Sequence, residues 1–174
     1  MATGVVKIGD RLITIVDFEK VLFDINPSIS FNMGGLNGYK SKDNSLKPIL
    51  VVEDSPLLER MILNALGQAG FINIVCTNNG HEAWDLLKGY KDRGGNISDF
   101  VSAIITDIEM PIMDGHTLIK LIKEDEEFEN IPIFVFSSIV TEENRAVGER
   151  LGVIRSVDKP EVGTLIKILD DYIL

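Results

Sequence analysis

From residue 48 onward, short apolar runs alternate with longer segments in which apolar residues recur at helical spacing. Short, bounded runs rich in β-branched residues are typical of strands that are buried on both faces of a parallel sheet. Strands are predicted at 49–52, 72–77, 103–106 and 133–136, with a shorter one at 155–157. This alternation limits the chain to an α/β architecture, because each amphipathic segment has to cover the sheet while it crosses from one strand to the next.

The segments between these strands carry the signals of helix ends. Ser55 and Pro56 supply an N-cap and a proline at the first helical position, and Gly70 is a suitable terminator. Further helices are predicted at 80–91, at 115–123, after an N-cap at Thr141, and at 162–173. Five strands and five helices in alternation predict right-handed crossovers with helices on both faces. The predicted fold class is therefore α/β, with a doubly wound five-stranded parallel sheet.

Charge is distributed unevenly along the chain. Residues 1–47 carry 6 Lys and Arg against 5 Asp and Glu, whereas residues 48–174 carry 11 against 22. An acidic surface repels phosphate backbones and anionic lipids, so nucleic acid and membranes are disfavoured as partners, and cations or basic protein surfaces are favoured. No apolar run approaches the roughly 18 residues of a membrane span, and no signal peptide is recognised. These features predict a cytoplasmic protein without direct membrane insertion.

The first part of the chain is predicted to be too small for a domain of its own. Residues 4–27 suggest two short strands around Gly9 and Asp10, followed by a short helix at 17–25. A two-stranded hairpin with one short helix is marginal in water. Glycine, serine and asparagine are frequent in the stretch that follows, which predicts a linker. The expected organisation is a small N-terminal piece at 1–28, a linker at 29–47 and a domain at 48–174.

Polar residues follow four of the predicted strands. In chain order they are Glu53 and Asp54, Asp107, Ser137 and Lys159. The carboxyl ends of parallel strands meet at one edge of the sheet, where open α/β folds bind their ligands. We therefore expect these five side chains to form one site, with Asp107 as its reactive residue.

The residue types in this set favour phosphoryl transfer. Three carboxylates repel one another unless a proton or a cation lies between them, and hard oxygen ligands in an open cluster suit Mg²⁺. Lys159 supplies a point charge and Ser137 a hydroxyl donor for a phosphoryl group, while Asp107 can attack the phosphorus in line. The alternative is that each polar residue merely ends its strand. An acid pair, a lone aspartate, a hydroxyl and a lysine in this order make that alternative weak.

Four motifs resemble the receiver domain of two-component response regulators. They are Val-Glu-Asp-Ser at 52–55, Ile-Thr-Asp-Ile-Glu-Met-Pro-Ile-Met-Asp-Gly at 105–115, Phe-Ser-Ser at 136–138 and Asp-Lys-Pro at 158–160. The resemblance covers residues 48–174 and implies the flavodoxin-like strand order 2-1-3-4-5. It also implies a phosphorylatable signalling domain rather than an enzyme.

The same resemblance implies a role for each candidate residue. Asp107 would accept the phosphoryl group from the phosphohistidine of a histidine kinase, and Ser137 and Lys159 would contact that group. The implied Mg²⁺ ligands are Glu53, Asp54, Asp107 and the backbone carbonyl of Glu109. One departure is found at Ser156, three residues before Lys159. Receivers often carry at that position a Tyr or Phe whose ring swings inward on phosphorylation, so this part of the usual switch is not expected here.

A narrower resemblance links the chain to the CheV family of chemotaxis adaptors, in which a CheW-like domain is fused to a receiver. It rests on residues 15–27 and on the insertion Gly-Asn-Ile-Ser-Asp-Phe at 95–100. Residues 1–28 are then expected to be the C-terminal remnant of a CheW-like domain. The implied partners are a CheA-like histidine kinase and the chemoreceptor array. Apolar residues and open strand edges in the remnant predict self-association.

Two other functions fit the same residues. A receiver can act as a phosphate sink, which drains the kinase without sending an output, and the sequence does not distinguish this role from an adaptor role. A haloacid-dehalogenase-type phosphatase also combines an aspartate nucleophile with Mg²⁺ and a lysine. Such enzymes need a second aspartate two residues after the nucleophile, as well as a cap domain. This chain has Glu109 at that position and no room for a cap.

Overall fold

The structure, a computed structural model, describes residues 2–9, 11–16, 46–138, 141–159 and 161–173. It divides the chain into two units, residues 1–30 and residues 31–174. In the first unit, strand β1 (Ala2–Ile8) pairs antiparallel with strand β2 (Arg11–Val16) across a turn at Gly9, whose φ is 62°. This confirms the predicted hairpin. The predicted helix at 17–25 and the predicted linker, apart from its last two residues, lie outside the described residues.

The second unit is built around a parallel sheet. Its described strands are β3 (Ile49–Val52), β4 (Ile74–Thr77), β5 (Ala103–Thr106), β6 (Ile133–Ser137) and β7 (Arg155–Asp158). Their spatial order is β4-β3-β5-β6-β7, which confirms the predicted order 2-1-3-4-5. β4 begins two residues later than predicted. Ile72 is 70% exposed, and the side-chain amide of Asn73 donates a hydrogen bond to the Leu46 carbonyl (3.1 Å), so both residues belong to the turn before the strand.

Five α-helices alternate with these strands in the described part of the unit. They are α1 (Pro56–Ala69), α2 (Gly80–Arg93), α3 (Gly115–Lys123), α4 (Glu142–Arg150) and α5 (Val162–Tyr172). The expected helix ends are present: the Ser55 hydroxyl accepts from the Leu58 amide, and Gly70 ends α1 with a φ of 101°. Thr141 caps α4 by accepting from the Asn144 amide. Among the described helices, none combines the length and the apolar character needed to cross a membrane.

Two apolar cores cover the two faces of the sheet. Successive residues of a strand point to opposite faces, so Ile49 and Val51 join one core while Leu50 and Val52 join the other. Helices α1 and α5 contribute to the first core, and α2 and α3 to the second. Helix α4 differs, because Gly148 is its only buried residue. This layered arrangement fixes the carboxyl ends of β3, β5, β6 and β7 along one edge.

Two connections between the elements have structure of their own. The polar stretch before β5 contains a 3₁₀-helix, Ile97–Asp99, and the acidic run after α3, residues 124–129, is only partly exposed. Within that run Phe128 is fully buried, with its ring edge-on to Trp84 at a centroid distance of 5.7 Å. Asp125 pairs with Lys91 at 2.8 Å. These contacts attach the loop to α2.

Candidate functional site

The predicted site residues follow the carboxyl ends of β3, β5, β6 and β7. The amide of Asp107 donates to the carbonyl of Val52 (3.0 Å), and the amide of Lys159 donates to the carbonyl of Ser137 (3.0 Å). Ser137 is the last residue of β6 and lies opposite Asp158 in the β6–β7 register. Each of the four strands therefore delivers its final polar residues to the same edge of the sheet.

Asp107 is held in a defined orientation. The residue is 7% exposed, and its Oδ1 accepts a hydrogen bond from the Ile108 amide (2.6 Å) while Oδ2 accepts one from Lys159 Nζ (2.8 Å). The Thr106 hydroxyl donates to the Asp107 backbone carbonyl (2.8 Å). Because both carboxylate oxygens have a donor, the side chain is fixed relative to β5 and to Lys159.

Lys159 joins two buried carboxylates. Its Nζ lies 2.8 Å from Asp107 Oδ2 and 2.8 Å from Glu53 Oε2, and the side chains of Lys159 and Glu53 are 6% and 1% exposed. Burial raises the pKa of Glu53 to about 7, although the ammonium of Lys159 acts in the opposite direction. Burial lowers the pKa of Lys159, but the two carboxylates outweigh it and the net shift is upward. Of Glu53 and Lys159, Glu53 is thus the residue whose protonation changes near neutral pH.

Three carboxylates of the site are close enough to share one cation. Glu53, Asp54 and Asp107 each place an oxygen within 4.8 Å of the others, and Asp54 is exposed to solvent. Glu53 Oε2 is buried and has the ion pair with Lys159 but no hydrogen bond of normal geometry, so it can accept a further partner. Carboxylate oxygens in a cluster that is open on one side fit Mg²⁺, which retains several of its waters.

The remaining predicted residues occupy the same edge with different exposure. Ser137 is 1% exposed and already takes part in an interaction within the protein. Glu109 lies in the loop after Asp107 with its side chain exposed, and the use of its backbone carbonyl as a metal ligand stays a prediction. Ser156 is half-buried, and its Oγ lies 3.4 Å from the position that a Cβ on Gly148 would take. Two small residues thus face each other between α4 and β7.

Sequence reasoning missed three contacts around the site. A Cβ on Gly115 would overlap the Asp107 carbonyl oxygen, so the start of α3 touches the backbone of Asp107. The amide of Gly80 donates to the Met113 carbonyl (3.0 Å), which joins α2 to the same loop. Arg145 of α4 pairs with Asp158 at 3.4 Å, next to Lys159. The contact of Gly115 with Asp107 could have been predicted from the Asp-Gly pair at 114–115, which indicates a turn. No sequence pattern marks the other two contacts.

Comparison with known proteins identifies the second unit. The family profile described as "Response regulator receiver domain" matches residues 49–170. A chemotaxis protein CheY homolog of Campylobacter jejuni is 32% identical over 122 residues, which are 68% of this chain and 85% of that protein. Among solved structures, the chemotaxis response regulator CheY4 of Vibrio cholerae matches with a TM-score of 0.60 and 25% identity, over 74% of this chain and 99% of that one.

Two longer relatives, both from Helicobacter pylori, align with more of the chain. The sensor histidine kinase CheAY is 30% identical over 159 residues, which are 89% of this chain and 19% of the kinase. The chemotaxis protein CheV2 is 29% identical over 149 residues, which are 82% of this chain and 44% of that protein. This chain therefore spans less than half the length of either relative.

Receiver domains are signalling domains that pair with histidine kinases and typically bind Mg²⁺ at an acidic pocket. The carboxylates that follow β3 and β5 form such a pocket here. Together with the match over residues 49–170 and the similarity to CheY proteins along nearly their whole length, they show that this chain belongs to the response regulator receiver domain family of two-component signalling.

Proposed function

We propose that this chain is the phosphorylatable receiver module of a chemotaxis adaptor, in which Asp107 accepts a phosphoryl group from a histidine kinase. The observation that carries the proposal is the buried ammonium of Lys159, 2.8 Å from carboxylate oxygens of both Asp107 and Glu53. A cation fixed beside a carboxylate in a pocket of low exposure is suited to stabilising the charge of an incoming phosphoryl group.

In the proposed reaction, a carboxylate oxygen of Asp107 forms a bond to phosphorus while the bond between phosphorus and the donor's imidazole nitrogen breaks. The electron pair of the broken bond stays on the imidazole nitrogen, the ring takes up a proton and leaves as neutral histidine, and Asp107 becomes an aspartyl phosphate. Lys159 and Ser137 contact the phosphoryl oxygens. When bound, Mg²⁺ neutralises further charge on those oxygens. The module takes up the phosphoryl group on its own side chain and hydrolyses its own aspartyl phosphate, so it is a phosphoacceptor and not an enzyme in the usual sense.

The proposed ligands of Mg²⁺ are Glu53, Asp54, Asp107 and the Glu109 backbone carbonyl. The donor set supports this assignment, because the three carboxylates approach one another within 4.8 Å and, with Glu53 ionised, carry three negative charges beside one ammonium. Asp54 is the ligand that is most open to solvent, which leaves room for the waters that Mg²⁺ keeps. Asp54→Ala should therefore weaken Mg²⁺ binding and phosphorylation together.

The adaptor part of the proposal depends on the first unit and on the similarity to CheV2, which extends beyond the residues of the receiver profile. We infer that residues 1–28 belong to a CheW-like domain and that residues 29–47 link it to the receiver at 48–174. The proposed partners are a CheA-like kinase and the chemoreceptor array in the bacterial cytoplasm. Self-association through the hairpin belongs to the same proposal.

A phosphate sink is the second candidate function, and Ser156 is the observation that favours it. At this position a small hydroxyl faces Gly148 of α4, where an aromatic ring would otherwise couple the site to α4. A sink transfers phosphate quickly and changes no partner's binding, whereas an adaptor changes its binding on phosphorylation. Rates of transfer from the kinase, measured together with binding to kinase and receptor with and without phosphorylation, distinguish the two.

Incubation with Mg²⁺ and acetyl phosphate, followed by intact-mass measurement, tests the central assignment. We expect the wild type to gain about 80 Da, the mass of one phosphoryl group, and Asp107→Asn to gain nothing. The matched control is Asp92→Asn, which replaces an exposed aspartate of α2 and should be labelled like the wild type. Labelling that persists in Asp107→Asn would disprove the assignment.

A further inference from the structure

The loop between β5 and α3 contains a residue whose side chain disfavours its backbone conformation. Ile112 has a φ of 68°, and among the described residues it is the only non-glycine with a positive φ. The amide of Met113 donates to the carbonyl of Pro111 at 2.7 Å, so residues 111–113 form a γ-turn centred on Ile112. γ-Turns with positive φ are rare and strained, and a β-branched side chain adds to the strain.

Ile112 receives no packing in the isolated domain that would offset this strain. Its side chain is 82% exposed, more than that of any other large apolar residue in the described part of the chain. Glycine or asparagine would suit the turn better, and either would expose less apolar surface. The stability of the fold therefore does not explain an isoleucine at this position. Strained residues of this kind concentrate at binding sites and switch regions, where the strain is offset by other contacts.

The position of the loop relates Ile112 to the phosphorylation site. Gly115 donates its amide to the Ile108 carbonyl (2.9 Å) and lies directly against the Asp107 carbonyl. Three residues of chain span at most about 11 Å, so Ile112 lies within that distance of Gly115. A typical protein interface buries about 800 Å² on each partner. An interface of this size centred on Asp107 extends as far as Ile112.

The charges around the site oppose the approach of a phosphoryl group. The exposed residues near Asp107 on this edge include three carboxylates, those of Asp54, Glu109 and Asp114, and a phosphoryl group is itself anionic. These charges repel the phosphoryl group of the donor, so an apolar contact beside the site would add attraction at the point where the approach is opposed. The other exposed large apolar residues of the described chain, Leu46, Ile72 and Tyr172, lie near the amino ends of strands at the opposite edge.

We propose that Ile112 is a docking residue for the protein domain that presents phosphohistidine to Asp107, and that its side chain enters an apolar patch on that domain. The inference rests on the proposed function, because it assumes that Asp107 accepts the phosphoryl group. Burial of one isoleucine on complex formation is expected to change binding about ten-fold or more. The fixed turn contributes by holding the side chain outward, so that little conformational freedom is lost on docking.

The test compares two phosphodonors on the same variants. Acetyl phosphate reaches Asp107 without a protein interface, whereas the phosphorylated phosphotransfer domain of a CheA-like kinase from the same organism has to dock. The variant Ile112→Asn introduces a residue that tolerates the turn and removes the exposed apolar side chain. The matched control Ile72→Asn makes the same change at an isoleucine that is 70% exposed at the opposite edge. Urea unfolding of both variants checks that they are folded.

For each variant, the rate of labelling by the kinase domain is divided by the rate of labelling by acetyl phosphate. We expect this ratio to fall about ten-fold in Ile112→Asn, because the KM for the kinase domain rises. In Ile72→Asn the ratio should stay constant. An unchanged ratio in Ile112→Asn overturns the docking role and leaves the proposed function intact. Equal slowing with both donors also overturns it, because Ile112 would then act through the geometry of Asp107. If acetyl phosphate and the kinase domain both fail to label the wild type, the proposed function itself is wrong.

Discussion

Lys159 is the residue on which the charge balance of the site depends. With Glu53 ionised, three carboxylates and one ammonium give the site a net charge of about −2, and three of these four side chains are less than a tenth exposed. Buried charges are costly unless they are compensated. A divalent cation brings the sum to zero, which explains why a cluster with one lysine suits Mg²⁺ rather than a monovalent ion.

Glu53 should make the stability of the metal-free protein depend on pH. Its pKa is 4.5 in an unperturbed chain and about 7 in the folded protein, so the folded state binds an extra proton between these values. The stability that this proton contributes is fully present below about pH 4.5 and is lost as the pH rises through 7. Glu53→Gln has no such proton to lose. Relative to the wild type, the variant should therefore gain on the order of 3 kcal/mol between pH 5 and pH 8.

Urea unfolding in the presence of EDTA, at several pH values from 5 to 8, measures this difference. The matched control is Glu126→Gln, which replaces an exposed glutamate of the acidic run and should follow the wild type. Parallel pH profiles for the wild type and Glu53→Gln would show that the fold does not raise the pKa of Glu53.

The loop between β5 and α3 is the element that ties the site to the rest of the domain. Gly115→Ala would place a methyl group in overlap with the Asp107 carbonyl oxygen and 3.0 Å from the Ile108 Cα. Both are backbone atoms, so the loop has to shift and Asp107 moves relative to Lys159. We expect a loss of about 1–3 kcal/mol in the free energy of unfolding and slower labelling by acetyl phosphate.

Gly89→Ala is the matched control for this substitution. Gly89 lies inside α2, and a Cβ at this position meets no other atom within 4 Å. Alanine should therefore stabilise the helix by about 0.5–1 kcal/mol and leave labelling unchanged. We therefore expect the two substitutions to change the free energy of unfolding in opposite directions. A Gly115→Ala variant that is as stable as the wild type and is labelled normally would contradict the close contact with Asp107.

The helices and strands of the receiver could largely be predicted from the sequence, because the residue patterns that mark them lie within each element or directly at its ends. A run such as residues 49–52 is apolar and bounded, and Ser55 and Thr141 are N-caps that act within one helical turn. Contacts between distant residues could not be predicted. Lys91 and Asp125, 34 positions apart, are brought together only by the packing of α2 against α3.

The same distinction applies to the site. Asp107 and Lys159 could be placed at one edge because parallel pairing brings strand ends together, whatever the loops do. Their direct contact at 2.8 Å, the approach of Gly115 to Asp107 and the turn at Ile112 depend on the path of the loops. Loop paths are set by contacts with other elements, such as the bond from Gly80 to Met113, and these leave no periodic pattern in the sequence.

At the scale of the whole molecule, the two units differ in whether each can be stable on its own. The receiver unit has an apolar core on each face of its sheet, with fully buried residues such as Leu50 and Phe134. In the first unit, β1 and β2 pair only with each other among the described strands. A two-stranded sheet is marginal in water, and strands at an unpaired edge bond readily to another chain.

We therefore expect the hairpin to determine the association state of the chain. Sedimentation velocity should show that the 1–174 chain self-associates and that a 45–174 truncation is monomeric at the same concentration, because only the former carries the strand edges. Ile13→Lys, a substitution within β2, should shift the full chain toward monomer, since charged residues on edge strands oppose pairing. If the full chain and the truncation sediment as monomers, strand pairing between copies does not occur, and any stabilisation of the hairpin has to come from within its own chain.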